Sequence, residues 1–292
     1  MGNIFININK IITRIINKIN HELLRAKVKK ASWEVGVKKS SENPQIIVSL
    51  TSYPRRFNEI ELCIKSLCLQ KVKPNKIILW LGNDSCEKDV QNLKDKYQKY
   101  GVTVRWDKER NLFSHKKYYY AMQEFLNDII ILADDDLIYP YDWIESLLRI
   151  SREYPNCICA RRVHNITWKN DKTPERYSKW IGEAKILIPS HNLLATTGAG
   201  TLFPPNCFSS ECFNIDVFMN FAKSADDIWL KIMAVKNGRK VVWVPNNMVM
   251  PTTVNLNQKE ELSNLNCNNG ENDLIFCRLL KYYNLTQQDF YD

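Results

Sequence analysis

Three consecutive carboxylates, Asp134-Asp135-Asp136, end the apolar run 129–133, and an acidic pair, Asp226-Asp227, follows about ninety residues later. Like charges packed this closely repel unless a cation compensates them, so the triplet points to a divalent metal. Carboxylate oxygens suit manganese or magnesium, and such an ion bridges to substrate phosphates. In extended backbone Asp134 and Asp136 face one side and Asp135 the other. An acidic turn that caps the next helix is the simpler alternative, but one Asp would satisfy it. The acidic pair could supply a proton acceptor, and Asp227 also fits the third helical position of a capping box opened by Ser224. Ser114-His115-Lys116-Lys117 opens another helical pattern. A helix N-terminus with added lysines favours an anion such as a diphosphate; the plainer alternative is Ser114 as an N-cap beside solvated lysines.

These groups need a scaffold that gathers distant positions. Apolar β-rich runs at 46–51, 76–81, 102–106 and 128–133 alternate with helical periodicity at 58–70, 87–100 and 114–127. That alternation predicts an α/β fold, a mostly parallel central sheet with right-handed crossovers and helices on its flanks. Ligands of such sheets bind beyond the carboxyl ends of the strands, where the aspartate triplet falls. Further on, the pattern predicts a helix from about 140 to 153, a strand at 157–163 and loops over 164–195. A turn at Thr197-Gly-Ala-Gly-Thr201 leads to helices at 211–221 and 226–237, a strand at 240–244, a mobile Asn-rich loop at 252–270 and a helix at 271–283. The expected division is a basic helix and linker (1–44), the α/β domain (45–250) and a C-terminal loop and helix (251–292).

Composition excludes several chemistries. Of nine glycines in 292 residues only Gly198 and Gly200 lie close together, and Phe203 stands where a third fingerprint glycine would fall. A P-loop or dinucleotide-binding turn is therefore not expected. The nine cysteines include no C-x-x-C pair and read as reduced, mostly buried thiols. The four histidines are dispersed and no G-x-S-x-G elbow is present. No apolar run approaches the roughly 20 residues that cross a bilayer, and no cleavable apolar segment follows a basic start. The expectation is a cytoplasmic chain.

Charge is concentrated at one end. Residues 1–44 hold nine basic and three acidic residues, which is +6 of the total +9. Within them Ile4, Ile8, Ile11, Ile12, Ile15, Ile16, Ile19 and Leu23 recur at helical spacing, with Asn and Lys/Arg opposite. Three partners fit such a helix: an anionic membrane surface contacted through residues 1–30, the main domain, or a second helix in a coiled coil. The expected localisation is peripheral, on the inner face of the membrane. A position-six Ile leaves no myristoylation pattern.

Taken together, Ile47-Val-Ser-Leu-Thr-Ser-Tyr-Pro, Ser114-His-Lys-Lys-Tyr-Tyr-Tyr, Ala133-Asp-Asp-Asp, Thr197-Gly-Ala-Gly and Ala225-Asp-Asp-Ile-Trp resemble bacterial glycosyltransferases of the family 2 type over about residues 45–250. The resemblance implies a GT-A-like fold, a DxD-type metal site and a nucleotide-sugar donor, a UDP-sugar being favoured. It implies that Thr51, Tyr53 and Arg55 hold the nucleoside and that Asp84 meets base or ribose. Asp136 would bind the metal, Asp134 the ribose or metal, and Asp135 would add to the donor site, as would His115 and Lys116. Asp227, paired with Asp226, would be the base of an inverting transfer. Gly198 and Gly200 would let a loop approach sugar or acceptor, and Trp229 could stack on a sugar ring. A glycan or lipid-linked acceptor in cell-surface polysaccharide synthesis follows. No Q-x-x-R-W motif of processive members occurs.

Two rivals remain. A sugar-1-phosphate nucleotidyltransferase would need a Gly-rich loop after the first strand, yet no glycine lies between Gly36 and Gly82. A non-catalytic membrane-associated binding protein would lack donor affinity. No nucleic-acid partner is expected, because the excess charge sits in one amphipathic helix.

Overall fold

The computed structural model describes residues 2–245, 249–254 and 270–291, with side chains from residue 15 onward. A long helix, α1 (Gly2–Lys30), precedes strand β1 (Ile46–Thr51). Helix α2 (Glu61–Cys68), β2 (Lys76–Leu81), α3 (Glu87–Tyr97), β3 (Val102–Trp106), α4 (Lys116–Glu124) and β4 (Ile129–Asp134) follow. The four strands lie parallel in the order β3-β2-β1-β4. They form because β-branched and aromatic side chains bury on both faces, which suits a parallel sheet covered on each side.

Alternate side chains feed two cores. Ile47, Ile78, Trp80, Ile130 and Leu132 point to one face, and Val48, Leu50, Ile77, Leu79, Leu81, Ile131 and Ala133 to the other. The second face is covered by α2, α3, the C-terminal turns of α1, and α5 (Trp143–Glu153). Between β4 and α5 runs the short β5 (Leu137–Ile138).

The second half differs from a simple parallel continuation. The run expected as one strand at 157–163 divides into β6 (Ile158–Ala160) and β7 (Val163–Asn165). The main chain bends at the intervening Arg161, which is buried and reaches the Val249 carbonyl at 3.2 Å. A small hairpin, β8 (Trp168–Asn170) with β9 (Thr173–Pro174), follows, and then β10 (Leu193–Ala195) pairs antiparallel with β7. The next strand, β11 (Thr201–Phe203), enters the main sheet antiparallel between β4 and β6. The sequence pattern read it only as the exit from a turn.

Helices α6 (Ile215–Phe221) and α7 (Asp226–Lys236) lead to β12 (Val241–Trp243) at the sheet edge, and β13 (Thr252–Thr253) pairs antiparallel with β5. Helix α8 (Glu271–Tyr283), with α4, α6 and α7, covers the first face. Most of the expected loop at 252–270 lies outside the described residues, as does Cys267. The full order is β3-β2-β1-β4-β11-β6-β12, a mostly parallel sheet between two helical layers. Among the described residues, no helix is long and apolar enough to cross a membrane.

One turn fixes the geometry around β11. Gly200 has φ +110°, and a Cβ there would stand 2.0 Å from the indole nitrogen of Trp143. That indole is buried and donates to the Ala199 carbonyl at 3.1 Å. Gly200→Ala combines left-handed strain with a clash and should lower stability by about 2–4 kcal/mol. Urea unfolding should show a lower midpoint with an unchanged slope.

Candidate active site

The carboxyl ends of β1, β2 and β4 lie side by side, with Thr51 paired to both Trp80 and Asp134. Register therefore brings the residues after the first strand against the aspartate triplet. Thr51 donates its hydroxyl to the Trp80 carbonyl at 2.8 Å. Strand β4 ends at Asp134, so the alternation expected of extended backbone stops there, and Asp135 and Asp136 enter a turn. Ser52 donates to Asp135 Oδ2 at 2.5 Å, and the Arg56 guanidinium reaches Asp135 Oδ1 and Asp136 Oδ2, both at 2.8 Å.

Arg56 was not singled out by the sequence; Arg55, which was, is exposed. A short 3-10 turn at Pro54–Arg56 sets which of the two arginines points inward, and residue type alone does not separate them. Arg56 also stands 5.5 Å from the Tyr53 ring and donates to its hydroxyl at 3.3 Å. Burial pushes the Asp135 carboxyl up to about 6, against the pull of Arg56. Burial, then the neighbouring Asp134 carboxylate, raises Asp136, again opposed by Arg56.

Lys117 joins this turn to the second acidic pair. Its ammonium lies 2.6 Å from Asp134 Oδ1 and 3.0 Å from Asp226 Oδ2, with 3% of the side chain exposed. Burial opposes the charge, but the carboxylates of Asp134, Asp226 and Asp227 outweigh it and hold the lysine protonated. The helix that carries it is fixed to the sheet: Ser49 donates to the Lys117 carbonyl, and Trp80 Nε1 donates to the Ser49 hydroxyl at 2.9 Å. The sequence offered Lys117 only as a neighbour of His115 and Lys116. Helical spacing places Asp226 and Lys117 on no common element, so their pairing needed the tertiary fold.

His115 is a correction. It is fully buried, stacks on Phe218 at 4.5 Å, and has Tyr118 OH and the Ala222 carbonyl each 2.9 Å from a ring nitrogen. Burial lowers its pKa, so it serves as a neutral core residue instead of a donor contact. Lys116 is also buried: its ammonium donates to Asn111 Oδ1 at 2.6 Å, and Asp84 and Asp135 partly offset the fall in pKa caused by burial. Asp84 itself is exposed after β2. Ser114 is no N-cap; it sits in a 3-10 turn before α4, and its hydroxyl bonds Asp226.

Around Asp227 the capping-box reading is also corrected. Helix α7 begins at Asp226 with Ala225 as cap, and Ser224 Oγ bonds Glu271 at 2.9 Å. The Asp227 carboxylate turns instead to Thr197, accepting from its N–H at 2.9 Å and its hydroxyl at 2.7 Å. Thr197 begins the turn Thr197–Ala199, in which Gly198 leaves room for Asp134: a Cβ there would lie 2.3 Å from Asp134 Oδ2. Tyr139 completes the link, its buried hydroxyl accepting from the Asp134 N–H at 2.7 Å and donating to the Gly198 carbonyl at 3.0 Å. Trp229 is fully buried against Phe218, with its indole on the Cys212 carbonyl, so it supports the site from within the core and cannot stack on a sugar.

The arrangement offers one carboxylate pair split in function. Burial would raise Asp226, but Lys117 brings it below the usual carboxylate range. Burial, then the Asp226 charge, pushes Asp227 up to about 6 against Lys117 and the Thr197 bonds. A metal would find oxygen donors on Asp134 and Asp136, whose mutual repulsion a dication relieves. Among the described residues no group of three or more ligands forms, so phosphate and water would have to complete the shell.

An α/β sheet of this order, with acidic turns at its carboxyl edge, is a GT-A-like fold. The glycosyl transferase family 2 model matches residues 48–210, more than half of the chain, which therefore belongs to that family and is a glycosyltransferase. Among solved structures, a mannosyltransferase from Pyrobaculum calidifontis in complex with GDP-Man and Mn2+ is similar at 15% identity and TM-score 0.47, covering 85% of this chain and 68% of that one. S. aureus TarS 1–349 is similar at 13% identity and TM-score 0.45, covering 82% and 72%. The same protein in complex with UDP gives 14% identity and TM-score 0.44, covering 82% and 71%. No curated protein matches the chain.

The raised carboxyl of Asp227 has a consequence for stability. The folded chain keeps that proton to about pH 6, whereas the unfolded chain releases it near pH 4. Between those values the folded state binds more protons, so this group's contribution to stability falls as pH rises and is flat above. Asp227→Asn should remove that slope, gaining about 1–2 kcal/mol relative to the parent at pH 7 and nothing near pH 3. Urea midpoints of both chains across this range test it.

Proposed function

We propose that the chain moves a sugar from a nucleotide-diphosphosugar to an acceptor hydroxyl with inversion at the anomeric carbon. The acceptor class is a glycan or lipid-linked hydroxyl, used in cell-surface polysaccharide synthesis at the inner face of the membrane. The observation that carries this reading is the Asp227 carboxylate, held by two bonds from Thr197, with a pKa poised for proton transfer near neutrality.

Under this reading Asp227 takes the acceptor proton as the hydroxyl oxygen attacks, opposite the departing diphosphate. Thr197 aims the carboxylate, and Lys117 keeps Asp226 ionised beside it. At the donor end Thr51, Tyr53, Arg55 and Asp84 line the nucleoside side, while Lys116 lends positive charge toward the diphosphate. Asp134 and Asp136 would hold a divalent cation, manganese or magnesium, which when bound stabilises negative charge on the leaving diphosphate. Asp135, buried against Ser52 and Arg56, sets the shape of the turn that presents them. Gly198 and Gly200 let this turn close on Asp134 and Trp143, where a Cβ would clash, instead of clearing space for the sugar.

The test is titration with GDP- and UDP-sugars, with and without manganese, followed by transfer assays. A donor that binds only with the ion, and loses that dependence in Asp136→Ala, supports the donor site; donor binding indifferent to both would remove the metal assignment. Asp227→Asn should keep donor affinity and lose transfer by about 10²–10⁴-fold. In the parent, kcat/KM should fall as pH drops below about 6, where Asp227 takes up its proton. Thr197→Val should lower kcat and move that limb upward, and Thr197→Ser should restore both. Full transfer in Asp227→Asn would leave the residue with a structural role alone.

A further inference from the structure

Helix α1 presents two apolar faces, and the domain uses only one. Leu24 and Val28 are buried in the core beneath the sheet. The attachment is reinforced by the Arg25 guanidinium, which donates to the carbonyls of Thr253, at 2.5 Å, and Val254. Lys65 donates to the Lys29 carbonyl at 3.1 Å. Ile15, Ile16, Ile19 and Leu23, by contrast, are each 50–53% exposed.

At about 100° per residue these four fall within an arc of roughly 100°, whose centre stands roughly 145° from that of Leu24 and Val28. The apolar stripe therefore points away from the domain that the helix is packed on. Exposed lysines border it: Lys18 lies beyond one edge of the arc, Lys27 beyond the other, and Lys30 continues along it.

The charge decides between occupants. Residues 1–30 carry seven basic side chains and one acidic, Glu22. A second copy of the helix would bring like charge against like, with one carboxylate per chain to compensate, whereas anionic headgroups supply the opposite sign. We propose that α1 is a docking surface for an anionic lipid bilayer. It lies along the membrane with Ile15, Ile16, Ile19 and Leu23 at the acyl boundary and Lys18, Lys27 and Lys30 among the headgroups.

The docked helix is also wired to the aspartate turn. The Val254 N–H donates to the Asp136 carbonyl at 2.7 Å, so Arg25 and one short strand join the membrane arm to the turn. The docking itself does not depend on the transfer reading; only its use, to hold that turn at a set height above a lipid-carried acceptor, rests on it.

Co-sedimentation of the full chain with vesicles of phosphatidylcholine, with and without phosphatidylglycerol, tests the surface. Binding should require the anionic lipid and weaken with salt. Ile16→Glu/Ile19→Glu and Lys18→Glu/Lys27→Glu should each weaken it by about tenfold or more. Circular dichroism and transfer to a soluble acceptor should stay at parental values, which separates loss of docking from failure of the active-site assignment. Equal binding to neutral vesicles, no binding, or a parental dimer that Ile16→Glu/Ile19→Glu dissociates would each overturn the proposal, the last in favour of a second copy.

Discussion

A lysine ammonium shut away from water must be surrounded by negative charge, and the Lys117 ammonium meets Asp134 on one side and Asp226 on the other. Removing Lys117 would leave two facing carboxylates without their counter-charge, which is far costlier than never having built the cluster. That requirement ties β4 to the start of α7 across about ninety residues of sequence. It also creates an asymmetry in the acidic pair: Asp226 is consumed in neutralising the lysine, while burial and then the fixed Asp226 charge make the adjacent Asp227 a stronger base. One interaction thus organises both the donor and acceptor ends of the proposed site.

The aspartate turn shows a second solution to the same electrostatic problem. Asp135 and Asp136 share Arg56, and Asp135 adds the Ser52 hydroxyl. Protein cations therefore compensate part of the triplet, and Asp134 and Asp136 keep partly exposed side chains, 36% and 29%, on which further charge can act. The repulsion read from the sequence is real, and the fixed cations Arg56 and Lys117 answer part of it.

Local signals made the first half of the fold legible. Runs such as 46–51 and 76–81 are mostly apolar, and β1 and β2 begin and end where those runs do. The second half hid its main feature, because Thr201–Phe203 is too short for periodicity to declare a strand, still less its antiparallel direction. At the site, spacing located the carboxylates but not their partners. Arg56 and Arg55 are chemically identical, and only the backbone of the 3-10 turn selects one. Lys117 and Thr197 gained their roles from residues over a hundred and about thirty positions away. His115 misled because a helix-start histidine beside lysines looks exposed, whereas the turn at Phe113–His115 rotates it into the aromatic core.

The hydroxyl of Tyr139 accepts from the Asp134 amide and donates to the Gly198 carbonyl, sheltered from solvent throughout. A single oxygen atom thus pins the end of one strand to the turn that precedes its antiparallel neighbour. Mechanically, those two loops behave as one rigid anvil, and any closing motion around a substrate has to be made by segments that this phenol does not touch.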